Sequence, residues 1–218
     1  MNYNALHQTT RRILLIACAA VLAAGLMISL PQRVHAQTIT PPSVPPGLEV
    51  PEGNEAFLVG HATGTQNYVC LPCDATTANC PLGVAFKLFT PQATLFDDQG
   101  DQLTTHFFSP NVVKDNAILA TWEDSRDTST VWATLVKGIT VRQGAIDQLL
   151  LNVQDTGGAQ AGPTGGDRLT KTTFIQRLRT FGGVAPAFGC TIAADVGHQA
   201  FVPYRADYFF YRKTKDDN

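Results

Sequence analysis

Charge is scarce in this chain, and none of it gathers into a basic face. Charged residues make up 16% of 218 positions, and the formal net charge is -2. That excludes an electrostatically driven nucleic-acid binder, which needs a positive surface for phosphates. Long helical periodicity is missing too, while Gly (18) and Pro (13) are plentiful. A helical bundle or coiled coil is therefore excluded. At 44% hydrophobic the chain is too apolar for disorder. There is no internal repeat, no G-x-S-x-G elbow, no P-loop ending and no G-x-G-x-x-G after a strand. Nucleophilic, phosphate-cradling and dinucleotide chemistry thus have no motif to rest on. The length allows one domain with a real core.

Residues 1–36 read as an address. Arg11-Arg12 precede an apolar run from Ile13 to Leu30, and Val34-His35-Ala36 is a small-residue cleavage site before Gln37. The run is long enough to span a bilayer if it is left uncleaved, so any membrane contact is expected through this segment alone. Cleavage removes Arg11, Arg12 and Arg33 and no acid, which takes the net charge from -2 to -5. A mildly acidic secreted or periplasmic protein is the expectation. Residues 37–47 hold Pro41-Pro42 and Pro45-Pro46 and read as an extended, exposed leader. The domain is expected over 48–212, with a polar tail at 213–218.

Cys18 leaves with the address, and Cys70, Cys73, Cys80 and Cys190 remain. In an oxidising compartment four cysteines suggest two disulfides with three possible connectivities. A redox C-x-x-C would want a helix N-terminus after a strand. Cys70 to Cys73 instead sits in a loop framed by Pro72 and Pro81. A zinc site is the other alternative to structural bridges.

The remaining signals are β. Short apolar or alternating runs cover 56–61, 65–71, 84–90, 92–96, 103–108, 118–122, 130–136, 172–180 and 201–211. Residues 146–153 are ambiguous between strand and short helix. Asp97-Asp98-Gln99-Gly100 is hairpin chemistry, and the Gly-rich stretch 156–167 reads as a surface loop. The fold class is all-β: a single-domain antiparallel β-sandwich or barrel-like fold with disulfide staples and long loops.

Three groups are candidates for a site. His106, near a strand end among Phe107 and Phe108, has the chemistry of a general base or metal ligand. Its bland alternative is a half-buried loop anchor. Trp122, followed by Glu123, Asp124, Asp127 and Ser129, sets an aromatic beside carboxylates, as sugar sites do. Arg177, within an apolar strand, calls for an acid such as Asp207 or Asp127. His61 and His198 show no ligand spacing with His106, and Asp97, Asp98 and Asp101 lack calcium-loop spacing. No metal and no cofactor are expected.

Several short motifs occur together. They are Leu48-x-Val50-Pro51-x-Gly53, Gly64-x-Gln66-x-Tyr68-x-Cys70, His106-Phe107-x-x-Pro110 and Trp122 with Asp127-x-Ser129. Ile175-Gln176-Arg177-x-x-Thr180-x-Gly182-Gly183-x-x-Pro186 follows, then Cys190, then Pro203-Tyr204-x-Ala206-Asp207-Tyr208-x-Phe210-Tyr211. From about Leu48 to Tyr211 the chain resembles the exported proteins catalogued as domain of unknown function 3455. The resemblance implies that Cys70 and Cys190 are shared positions and that Cys73 and Cys80 are a local addition. The implied pairing is Cys70–Cys190 and Cys73–Cys80. Gln66 and Tyr68, from the shared motif, join His106, Trp122, Asp127 and Arg177 as ligand-binding candidates. The resemblance implies no activity.

Two functions from different classes fit these residues. One is a non-catalytic exported module that binds a small molecule, a glycan or a cell-surface partner. The other is a small secreted hydrolase, carbohydrate-active in one form, with His106 or a carboxylate near Trp122 as its base. The absence of catalytic motifs favours the module. Convergence of His106, Trp122 and Arg177 on one cleft would favour the enzyme.

Overall fold

Two-residue alternation of inward and outward side chains generates eight strands, each paired antiparallel with the next. They are β1 (Asn54–Pro72), β2 (Val84–Phe96), β3 (Gln102–Asn111), β4 (Ala117–Asp124), β5 (Thr130–Ile139), β6 (Gln148–Asn152), β7 (Phe174–Gly182) and β8 (Gln199–Lys213). β8 returns to β1, with register from Asn54↔Lys213 to Val69↔Gln199, and closes the sheet into a barrel. Closure decides against the sandwich. The computed structural model describes residues 39–76, 80–153 and 157–214, all within one unit spanning Thr38–Asn218. The address, its cleavage site, Cys18 and the end of the polar tail lie outside the described residues. No helix among the described residues is long and apolar enough to cross a membrane.

Two pairs of expected strands merge. Residues 56–61 and 65–71 form one strand, because Gly64 marks a close approach and not a turn. A Cβ there would stand 2.1 Å from the Gln92 carbonyl oxygen of β2. Residues 84–90 and 92–96 also join, through Pro91. The β2–β3 ladder ends at Ala93↔His106, so a residue without an N–H leaves no bond unmade on that side. The ambiguous stretch 146–153 supplies β6. The hairpin at residues 97–101 connects β2 and β3 as expected.

One end of the barrel is packed solid. Leu95, Val131, Leu151, Ile175 and Phe210 point inward and are buried. Each such side chain contributes about 1.5–3 kcal/mol on leaving water. Leu169, from the Gly-rich connection, plugs this end, and its N–H donates to Ser129 Oγ at 3.1 Å. Asp127 holds the connection in place. It accepts from the N–H and hydroxyl of Ser129 and from the Arg168 N–H. Cβ atoms on Gly162 and Gly166 would stand 2.1 and 2.2 Å from the Asp127 carbonyl oxygen. The glycines there serve close packing against Asp127.

A second apolar cluster lies on the outer face, where Leu48, Leu150, Phe174, Leu178, Phe209 and Tyr211 meet. Ile39, Val44 and Val50 pack over it, so the Pro-rich leader is not wholly exposed. It lies on the barrel wall and is secured where Gln176 Nε2 donates to the Leu48 carbonyl.

Disulfides join Cys70 to Cys190 and Cys73 to Cys80. The first spans 120 residues of sequence and ties β1 to the loop before β8. Both are consistent with an extracytoplasmic location.

Candidate binding pocket

The other half of the barrel is hollow. Small residues at inward positions (Ala120 on β4, Ala133 on β5) leave space that the large residues of the opposite strands do not fill. The result is a cavity of about 770 Å³. It opens where β3 parts from β2. Past His106 the ladder is gone, and the Phe108 N–H turns to Thr90 Oγ1 at 3.0 Å. Leu88, Ile118 and Leu135, all well exposed, stand at its rim.

Three aromatic rings form one wall. His106 and Trp122 are cross-strand partners on β3 and β4. Their rings stack with centroids 4.1 Å apart and planes 8° from parallel. Tyr208 of β8 packs against both, 5.3 Å from His106 and 5.5 Å from Trp122. Arg177 lies directly across the ladder from Tyr208, in the same inward row. Gln66 and Tyr68 come from β1, and the Tyr68 hydroxyl donates to the Gly183 carbonyl at 2.7 Å.

Five of the six candidates (Gln66, Tyr68, His106, Trp122 and Arg177) therefore line one cavity. Asp127 does not. It lies at the packed end, past the opposite end of β4, where it caps the Gly-rich loop. The Trp–carboxylate pairing suggested by the sequence does not form. Trp122 faces the interior, and Asp124 is buried against the backbone N–H groups of Arg126 and Asp127, with Arg168 3.5 Å from its second oxygen.

Electrostatics divide the candidates. Full burial takes the His106 imidazole down to about 3, partly countered by its hydrogen bond to Thr121, with the nearby Arg177 charge lowering it further. Its Nδ1 donates to the Thr121 carbonyl at 2.8 Å. A carbonyl only accepts, so Nδ1 carries the proton and Nε2 the lone pair. Burial raises the Tyr68 phenol, and the Arg177 charge counters part of that rise.

Arg177 has no acid. Its Nε donates to the Asp147 carbonyl at 3.0 Å, and it forms no ion pair among the described residues. Asp207 instead holds His61 and Arg179. The Trp122 indole Nε1 is buried without a hydrogen bond. No cluster of metal-ligating side chains occurs among the described residues.

Sequence reasoning missed Tyr208 and the small residues that open the cavity. Both were readable. Tyr204, Ala206, Tyr208 and Phe210 alternate along one face of β8, and an alanine recurs at inward positions of β4 and β5.

The fold and the cavity define a disulfide-stapled, closed eight-stranded antiparallel barrel with an internal pocket. The chain belongs to the family described as protein of unknown function (DUF3455), whose model matches residues 51–212. No curated protein and no solved structure matches it.

Proposed function

We propose that this is an exported, non-catalytic binding module whose barrel encloses a small, largely apolar ligand. The observation that carries the reading is the cavity of about 770 Å³ walled by Trp122, His106 and Tyr208. Its size falls within the range of small-molecule sites, and barrel mouths are a common place for them. Apolar lining favours a small apolar molecule over a glycan, which needs a dense set of polar partners. An address over residues 1–36 and two disulfides support a secreted or periplasmic setting.

His106, Trp122 and Arg177 line one cavity, the convergence expected of the hydrolase, but the immediate surroundings of His106 weigh against catalysis. His106 is held neutral with a backbone carbonyl behind it, where a catalytic imidazole commonly has a carboxylate. Among the described residues no nucleophilic hydroxyl is hydrogen-bonded to it.

The test is titration with N-phenyl-1-naphthylamine, a neutral apolar fluorophore. Saturable enhancement at one site per chain is expected. Ala133→Leu and Ala120→Leu, which fill the cavity from two strands, should weaken it at least tenfold. Enhancement that never saturates, or that both filled but folded variants retain, would overturn the reading.

A further inference from the structure

We propose that the pocket selects apolar monocarboxylates, with the ligand carboxylate on Arg177 and its apolar body against the His106–Trp122–Tyr208 wall. This rests on the binding reading above and names the ligand class.

An arginine facing inward among apolar strands needs a reason. Its charge is costly to desolvate unless an anion or a full set of acceptors meets it. The other arginines with ion pairs have theirs elsewhere: Arg126 with Asp97 and Asp101, Arg168 with Asp124, Arg179 with Asp207 and Arg212 with Glu55. Among the described residues Arg177 gives only its Nε–H to a protein acceptor, the Asp147 carbonyl. Four Nη hydrogens remain, and that planar fork matches the two oxygens of a carboxylate.

The surroundings narrow the class. Asp147 also lines the cavity, its carboxylate accepting from the Thr140 hydroxyl. A second negative charge on the ligand would meet it, so a monoanion is favoured. Tyr208, the cross-strand neighbour of Arg177, joins the charge to the aromatic wall. From there to the rim at Leu88, Ile118 and Leu135 the lining is mainly apolar. A charged head therefore has one place to sit, and an apolar body has the rest.

The probes are decanoate, decan-1-ol and decylammonium, which share a chain and differ in the head. Each displaces N-phenyl-1-naphthylamine from the disulfide-bonded protein at pH 7.5. Decanoate should displace at a concentration at least tenfold below decanol, and decylammonium should be the weakest. In Arg177→Met, decanoate and decanol should displace at the same concentration. Arg177→Lys, which keeps the charge and loses the fork, should fall between. Two results overturn the proposal while leaving the pocket in place: decanoate no better than decanol although the fluorophore binds, or a preference that survives Arg177→Met. Failure of the fluorophore itself to bind removes the binding reading and this inference with it.

Discussion

The His106 imidazole lies flat on the Trp122 indole, with ring centroids 4.1 Å apart. A neutral ring suits that contact, and burial keeps it neutral. The folded imidazole sits at about 3 against 6.5 in the unfolded chain. Above pH 6.5 neither state holds the proton, and the full stability is present. As pH falls from 6.5 toward 3 the unfolded state gains a proton that the folded state refuses. Stability then drops by about 1.4 kcal/mol per pH unit. Thermal melts of wild type and His106→Phe from pH 7.5 to 4 check this. The variant should lose less over that range, and parallel curves would contradict the assignment.

His61 has the opposite sign. Its Nδ1 lies 2.7 Å from Asp207 and its Nε2 2.9 Å from Asp98. The Asp207 hydrogen bond, with Asp98 in support and burial opposing, raises its pKa above 6.5. Its contribution is fully present below pH 6.5 and is lost as pH rises through the folded value. The ring is half exposed, so the effect is small. The stability gap between wild type and His61→Gln should be largest at pH 5.5 and close by pH 9. A gap that widens with pH would contradict this.

The β class and the hairpin at residues 97–101 are legible in alternation and turn chemistry. The approach of His106 to Trp122 is not. It depends on the β3–β4 register, and the connection at residues 112–116 does not announce that register. The partner suggested for Arg177 fails for a definite reason. Arg177 pairs across the ladder with Tyr208, and both face inward. Asp207 is one residue away and so points outward, to His61 and Arg179. Asp127 misleads similarly. It follows Trp122 closely in sequence, but β4 ends at Asp124 and the chain turns away before reaching it.

Arg177 therefore strands no buried acid when removed. Arg177→Met should change stability by less than about 1 kcal/mol, whereas breaking a buried ion pair costs about 3–5 kcal/mol. Urea unfolding of the two proteins side by side decides between these values.

The two disulfides should differ in weight. Cys70–Cys190 closes a loop with a separation of 120 residues, and Cys73–Cys80 one of 7. Loop-closure entropy assigns about 4–5 kcal/mol to the first and about 2–3 kcal/mol to the second. Replacing Cys70 and Cys190 by alanine should lower Tm by about 10–20 °C. Replacing Cys73 and Cys80 should lower it by roughly half as much. Equal losses would contradict the ranking.

The chain has two tryptophans, and the barrel separates them. Trp122 faces the cavity with its indole N–H unpartnered, while Trp132 gives its N–H to Ser109 Oγ at 2.9 Å. Their ¹⁵N-indole resonances, followed during titration with decanoate, test the binding pocket most directly. The Trp122 signal should shift saturably while the Trp132 signal stays in place. Shifts at Trp132 alone, or none at either resonance up to millimolar decanoate, would contradict the binding pocket.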